Sequence, residues 1–294
     1  MNIVLNFNKN SNITSRDAVT AAKRLFKVRK AGHAGTLDPI ATGVLLICFN
    51  EATKITGYLS DLSKEYIVTA KLGEATDTYD TEGAITRRVA VPDISRKEIE
   101  ATLQRFTGDI EQTPPMFSAI KMNGRPLYEL ARKGIEVERR PRVVVIHSLE
   151  ILEMKLPYLR MKAACSKGTY IRSLCNDIGN ALGVGAHVFE LVRTRIGDFT
   201  LENAAALDEL PNKTASLHTI DDALKHLREL VLEGNEYTRA INGNPVSIAR
   251  VAKQIGSDWE GRSPFVRLRN TAGKVFGIGK VTADSIKIER LFNI

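Results

Sequence analysis

The chain has 294 residues, of which 43% are hydrophobic, so a disordered chain is excluded and one large domain with a small one is allowed. A formal net charge of +8 with a pI near 9.4 favours a polyanionic partner, of which nucleic acid is the commonest. Three cysteines, Cys48, Cys165 and Cys175, with no C-x-x-C pair, argue against a disulfide framework or a zinc site and fit a reducing cytosol.

Met1 to Leu5 shows no basic segment followed by a long apolar run, and no stretch of eighteen apolar residues occurs, so neither a signal peptide nor a membrane span is expected. Ile3 to Phe7 reads as a short strand. Thr14 and Asp17 have capping-box spacing and start a helix whose apolar stripe is Ala18, Ala22 and Leu25. Its end is basic, with Lys23, Arg24, Lys27, Arg29 and Lys30 and no carboxylate among residues 18 to 37. Cations suit a helix C-terminus. They also place positive charge just before a Gly-rich loop, Gly32 to Gly43, which holds His33, Gly35, Asp38 and Pro39. Pro39 disfavours helical backbone at Asp38. The carboxylate is therefore expected on a stiff turn ahead of a buried strand, Thr42 to Phe49.

Thr53 to Leu62 is expected to be helical. Glu65 to Leu72 alternates, with Tyr66, Val68, Ala70 and Leu72 on one face. Thr76 to Gly83 is acidic but lacks the EF-hand ligand pattern, so a structural Asx-rich turn is preferred to a calcium loop. Ser95 and Glu98 cap a helix striped by Ile99, Leu103 and Phe106. Phe106 to Gln112 reads as a strand that Pro114 and Pro115 end. Ser118 to Met122 leads into an Asn123-Gly124 turn, and a helix over Leu127 to Lys133 ends at Gly134. Arg132, Lys133, Arg139, Arg140 and Arg142 make a second basic patch.

Val143 to Leu152 and Tyr158 to Cys165 are expected to pair as strands. Ile171, Leu174, Ile178 and Leu182 stripe a helix ended by Gly183. Arg172 lies off that stripe in the first turn, where a cation opposes the helix dipole and needs an anionic partner or solvent. Val188 to Ile196 alternates, and Ile220, Leu224, Leu227 and Val231 predict a last helix. Beyond it, short β-like runs are divided by Asn242-Gly243, Gly256-Ser257, Gly261 and Ala272-Gly273. From Arg228 onward eleven Lys or Arg face seven Asp or Glu, which points to a small basic β domain. Helices mixed with antiparallel strands make the large part α+β. There is no phosphate loop, dinucleotide fingerprint or local nucleophile signature. The five histidines are scattered, so no metal is expected.

Taken singly, Asp38 is a turn residue, Tyr66 and Leu191 are core, Arg172 is a surface cation and His33 a loop residue. Jointly they say more. With Arg29 and Lys30 before it and Glu51-Ala52-Thr53-Lys54 after it, Gly32 to Leu45 resembles the catalytic motif of the TruB-type tRNA pseudouridine synthases. Lys64-Glu65-Tyr66, and Thr76-Asp77-Thr78 with Asp80 and Gly83, are similar to that family's second and third motifs. Phe106-Thr107-Gly108, Gln112-Thr113-Pro114-Pro115 and Ser118-Ala119-Ile120-Lys121 are similar to the entry of its RNA-gripping thumb. Lys167 to Arg172, and Gly185 to Leu191 and Arg193, complete the set.

The resemblance implies a mainly antiparallel sheet flanked by helices in a catalytic domain, 1–232, with a thumb-like insertion at about 113–142. It implies a PUA-like RNA-binding domain at 233–294. The implied activity is isomerisation of the TΨC-loop uridine of tRNA, position 55, by base flipping and without a cofactor. A cytoplasmic monomer that binds the TΨC stem-loop and no membrane is expected. Asp38 is then the essential carboxylate, Arg172 its partner, and Tyr66 a stacking surface that can help remove the C5 proton. Leu191 packs the same pocket, and His33 fills the RNA loop or stacks on the flipped nucleotide. Gly35, Lys64, Lys121 and Lys167 join them in substrate binding. Two departures stand out. Asn8-Lys9-Asn10-Ser11-Asn12 replaces the usual D-K-P-x-G, and Asn50 replaces the glycine before E-A-T-K. Two other classes stay open, a tRNA-binding folding factor and a glycosidase or base-exchange enzyme. Glycosidases usually need two carboxylates and the motif offers one.

Overall fold

Strict alternation makes Lys64–Leu72 the axis of the large sheet: Lys64, Tyr66, Val68, Ala70 and Leu72 are buried and the residues between them half exposed. It runs antiparallel to Tyr158–Cys165 on one side and Ala186–Ile196 on the other. The computed structural model describes residues 1–122, 124–210, 213–255 and 263–293. Across the sheet the order is Leu217–Thr219, Ile3–Lys9, Thr42–Phe49, Ala186–Ile196, Lys64–Leu72, Tyr158–Cys165, Arg142–Lys155 and Gly108–Gln112. Thr42–Phe49 and Ala186–Ile196 pair in parallel; the other neighbours along this order are antiparallel. Thr42–Phe49 is apolar throughout because separate cores cover its two faces. A further core lies between Lys64–Leu72, Tyr158–Cys165 and the helix Ile171–Ala181. The three cysteines are free and buried.

Both capping boxes form, Thr14 with Asp17 ahead of Ser15–Leu25 and Ser95 with Glu98 ahead of Arg96–Gln104. Leu25, expected on the buried stripe, is largely exposed because the helix ends there. Phe26 turns inward instead, against Phe49, with ring centroids 5.2 Å apart. The helix expected over Thr53 to Leu62 divides into a 3-10 turn, Asn50–Ile55, and a short helix, Thr56–Ser60. Of Ser118 to Met122 only Lys121–Met122 is a strand, paired with Arg125–Pro126, and Asn123 lies outside the described residues. The helix after it stops at Ala131.

The expected last helix is two elements. Ile220–Ala223 is a short helix, but Arg228–Leu232 is a strand that pairs in parallel with Phe265–Asn270. A distant strand thus overrides a local helical spacing. The second sheet runs Arg228–Leu232, Phe265–Asn270, Val275–Val281, Ser285–Leu291, Val246–Ser247, and so begins before residue 233. It carries two helices that the β-like texture does not announce, Gly234–Ile241 and Ile248–Ile255. Gly256-Ser257 and Gly261 lie outside the described residues.

The two sheets share a core. Val275, Ile278 and Phe292 are buried in one cluster with Val4, Ala52, Ile55, Leu59 and Leu224. Tyr58 meets Phe265 edge-on at 5.0 Å. Arg267 and Arg269 both grip Asp221. Lys54 donates to the Leu291 carbonyl and Glu51 accepts from the Asn293 N–H, each at 2.8 Å. No helix among the described residues is long and apolar enough to cross a membrane.

The two glycine replacements among the departures from the family pattern have a backbone explanation. Asn12 and Asn50 have φ of +63° and +49°. That left-handed region suits glycine, and asparagine tolerates it better than most other residues. Nothing in the structure accounts for Asn10 in place of proline.

Candidate active site

The loop carrying Asp38 is held from three sides. Ser15, at the start of the first helix, accepts from the Leu37 N–H and donates to the Leu37 carbonyl, both at 2.9 Å. Arg193, only 1% exposed, donates to the carbonyls of Val44 (2.7 Å), Thr36 (3.1 Å) and Gly35 (3.2 Å). Lys9, fully buried, donates to Asn10 and Ile13 at 2.8 Å and to Pro39 at 3.1 Å. Burial brings its amine down to about 8. Two buried cations thus fasten the carbonyls on either side of Asp38. Gly43, at φ +102°, cannot be replaced without strain, since a Cβ there would lie 2.3 Å from the Arg193 carbonyl.

Asp38 meets Arg172 as expected. The guanidinium Nε donates to Oδ2 at 2.8 Å and Nη2 to Oδ1 at 3.0 Å, a bidentate pair. Arg172 is 5% exposed and also donates to the carbonyls of Thr78 (3.0 Å) and Phe117 (2.8 Å). A second carboxylate, Asp80, stands 3.6 Å from its Nε. Two carboxylates offset the dipole cost of a cation in the first turn of Ile171–Ala181. The acidic turn is Asx-rich as expected: Asp80 Oδ1 accepts from the Thr78 hydroxyl at 2.6 Å and from the Glu82 N–H at 3.1 Å. Burial pushes the carboxyls of Asp80 and Glu82 above their usual range.

Removing the guanidinium leaves Asp38 and two carbonyls without this donor and Asp80 without its counter-charge. Arg172→Met is therefore expected to cost about 3–5 kcal/mol in stability. Arg172→Lys should recover only part of it, because one ammonium cannot reach four acceptors spread around a planar fork. Urea unfolding checks both, and an Arg172→Met protein as stable as the wild type would show that the network holds nothing.

Asp38 and Arg172 open into a cleft of about 840 Å³, whose walls include Tyr66, Leu191, His33, Gly35 and Lys64. Tyr66 is 7% exposed, and burial raises its phenol above the ordinary value, keeping it neutral near pH 7. Burial, then the nearby Arg193, lowers the His33 imidazole. Lys64 donates to the carbonyls of Ser60 and Leu62, and burial brings its amine down to about 8. Two expected site residues do not line the cleft. Lys167 turns to Asp61 at 2.9 Å, and Lys121 stands exposed on the hairpin.

Local pattern does not mark Asp80, Lys9, Arg193 or Tyr170, although Asp80, Arg193 and Tyr170 line the cleft and Lys9 braces its loop. Asp80, Tyr170 and Arg193 fall inside the motifs that carry the family resemblance, and Arg193 has a further signal: it is two residues from Leu191 on a strand and so shares its inward face. No group of three or more His, Cys, Asp or Glu among the described residues is arranged to hold a metal ion. Among the carboxylates that line the cleft, Asp38, Asp80 and Glu82, Asp38 is held bidentate by Arg172, an orientation that suits attack on, or stabilisation of, an electrophilic carbon.

Two family models match the chain. TruB family pseudouridylate synthase (N terminal domain) covers residues 23–171, and tRNA pseudouridylate synthase B C-terminal domain covers residues 172–236. A protein named tRNA pseudouridine synthase B from Dechloromonas aromatica is 48% identical over 250 residues, 83% of each chain. One of the same name from Clostridium tetani is 43% identical over 294 residues, 99% of each chain. Among solved structures, a chain from the crystal structure of a Cbf5-Nop10-Gar1 complex superposes with a TM-score of 0.76 at 25% identity, over 99% of this chain and 84% of that one.

Proposed function

The chain belongs to the TruB family of pseudouridylate synthases, and from that premise we propose how its cleft works. It is an isomerase that converts uridine to pseudouridine in tRNA. The target in our proposal is the TΨC-loop uridine, position 55, and the stem-loop is the partner. The observation that carries it is the bidentate hold of Arg172 on Asp38 at a nucleotide-sized cleft.

The reaction breaks the N1–C1′ bond and makes a C5–C1′ bond, with one proton lost from C5 and one gained at N1. It balances without redox or an energy source, so no cofactor is required. Asp38 takes the part of the carboxylate that attacks the sugar or assists the departure and return of the base. Arg172 holds it in place through two parallel hydrogen bonds. The target base must leave its stack, at a cost of a few kcal/mol. Stacking on Tyr66 and packing on Leu191 offset that cost, and a neutral phenol favours this role for Tyr66 over proton removal. The insertion 113–142, which brings Phe117 and Ser118 to the cleft, grips the loop, and residues 233–294 add a PUA-like RNA-holding surface. The cleft is complete within one chain, which fits action as a monomer.

Nucleoside mapping of unmodified tRNA after incubation tests the proposal, with pseudouridine in the TΨC loop as the expected product and modification elsewhere as the refutation. Tyr66→Ala should lose roughly 1–3 kcal/mol of base binding and Tyr66→Phe little of it. Full activity in both variants would remove Tyr66 from the mechanism.

A further inference from the structure

The first helix, Ser15–Leu25, starts at the lip of the cleft, where Arg16 is both exposed and part of the lining. Ala18 and Ala22 face the core. Arg16, Thr20 and Lys23 follow one another at i, i+4 and i+7 on the outer face, with Arg24 beside them. Lys27, Arg29 and Lys30 continue the charge past the helix end, and all six cations are exposed. The helix has 11 residues, which at 1.5 Å each is about 16 Å.

These cations are not spent on carboxylates. Among the described residues, Lys23, Arg24, Lys27 and Arg29 have no salt-bridge partner. Lys30 acts electrostatically on Glu51, which is already bonded to Lys54 and the Asn293 N–H. Arg16 acts weakly on Asp17, whose carboxylate is committed to the Thr14 cap. An unneutralised cationic row beginning at the cleft lip calls for a polyanion that reaches the cleft itself.

We propose that the outer face of this helix is a phosphate track that holds the backbone of the substrate tRNA where it leaves the cleft, beyond the loop containing the flipped nucleotide. The proposal rests on the cleft being the uridine site. The far end of the track lies about one helix length from that site, so its contacts fall on RNA outside the loop.

The test uses the triple variant Lys23→Gln, Arg24→Gln, Lys27→Gln in the full chain, with a matched control that removes equal charge elsewhere, Lys97→Gln, Arg105→Gln, Arg160→Gln. Binding of a full-length tRNA transcript and of an isolated TΨC stem-loop is measured from 50 to 200 mM salt. The track variant should lower the salt slope for full-length tRNA by about 2.7, at roughly 0.9 per lost phosphate contact. The affinity gap to wild type should then be roughly 40-fold larger at 50 mM salt than at 200 mM. The stem-loop, which keeps only the RNA next to the loop, should show a drop in slope no larger than that, and the control variant none. A slope on full-length tRNA equal to wild type, or an equal drop in the control, overturns the proposal. Failure of the cleft assignment reads out separately, as turnover retained by Asp38→Asn.

Discussion

Asp38→Asn is expected to reduce turnover by about 10⁴-fold or more while changing tRNA affinity no more than about twofold. Asparagine has the same shape, and its oxygen can still accept from Arg172. Its amide nitrogen, however, meets a guanidinium donor instead of offering a second acceptor, and an amide is neither a nucleophile nor a base at neutral pH. The loop itself should stay in place, because Ser15, Lys9 and Arg193 hold its backbone and none of them hydrogen-bonds to the Asp38 side chain. RNA affinity should survive because no phosphate contact is removed. Single-turnover conversion of tRNA, with binding measured in parallel, separates the two effects. Turnover within about tenfold of wild type would mean that Asp38 does not carry the chemistry.

Deleting residues 235–294 is expected to unfold the protein, not merely to weaken RNA binding. The deletion strips Val275, Ile278 and Phe292 from the shared core, and each buried side chain of that size is worth about 1.5–3 kcal/mol. The sum, roughly 5–9 kcal/mol, is comparable to the whole stability of an ordinary domain, about 5–15 kcal/mol. The deletion also leaves Arg228–Leu232 without its strand partner and Asp221 without its two arginines. Circular dichroism melting and gel filtration of the truncated chain check this. A cooperative melt close to that of the full chain would show that the second sheet is separable. If the deletion does unfold the protein, RNA holding by 233–294 has to be probed with surface substitutions.

What could be read from the residues alone was whatever is written within a few positions. The capping boxes at Thr14 and Ser95 are signals over three residues. The alternation through Tyr66 to Leu72 marks both strand and inward face. The awkward dipole position of Arg172 announces that it needs an anion. Asp80 and Lys9 give no such notice from their own positions, only through the motifs of the family resemblance. Lys9 is buried because its amine meets the Pro39 carbonyl thirty positions away, and Asp80 because the Thr76 to Gly83 turn folds back on a helix that starts at Ile171. Residues 224 to 232 contain two readable patterns. Leu224, Leu227 and Val231 fit a helix, while Leu230 and Leu232 fit a strand, and only the arrival of Phe265–Asn270 decides. Asn12 and Asn50 look like losses of glycine until their positive φ values show that the backbone shape is kept.

The shared core also has a consequence for how the protein is made. Val4 is buried in the same cluster as Phe292, which is synthesised nearly 290 residues after it. Its strand borders Leu217–Thr219 on one edge, so neither that edge nor its packing can be completed during most of translation. At about 5–20 residues per second, the nascent N-terminal strand waits roughly 15–60 s for its final neighbours. Until Leu217–Thr219 emerges, roughly 11–43 s after the strand at that rate, an apolar strand edge stays open to other chains, and a chaperone that shields it would matter more for yield than the rate of the last folding step.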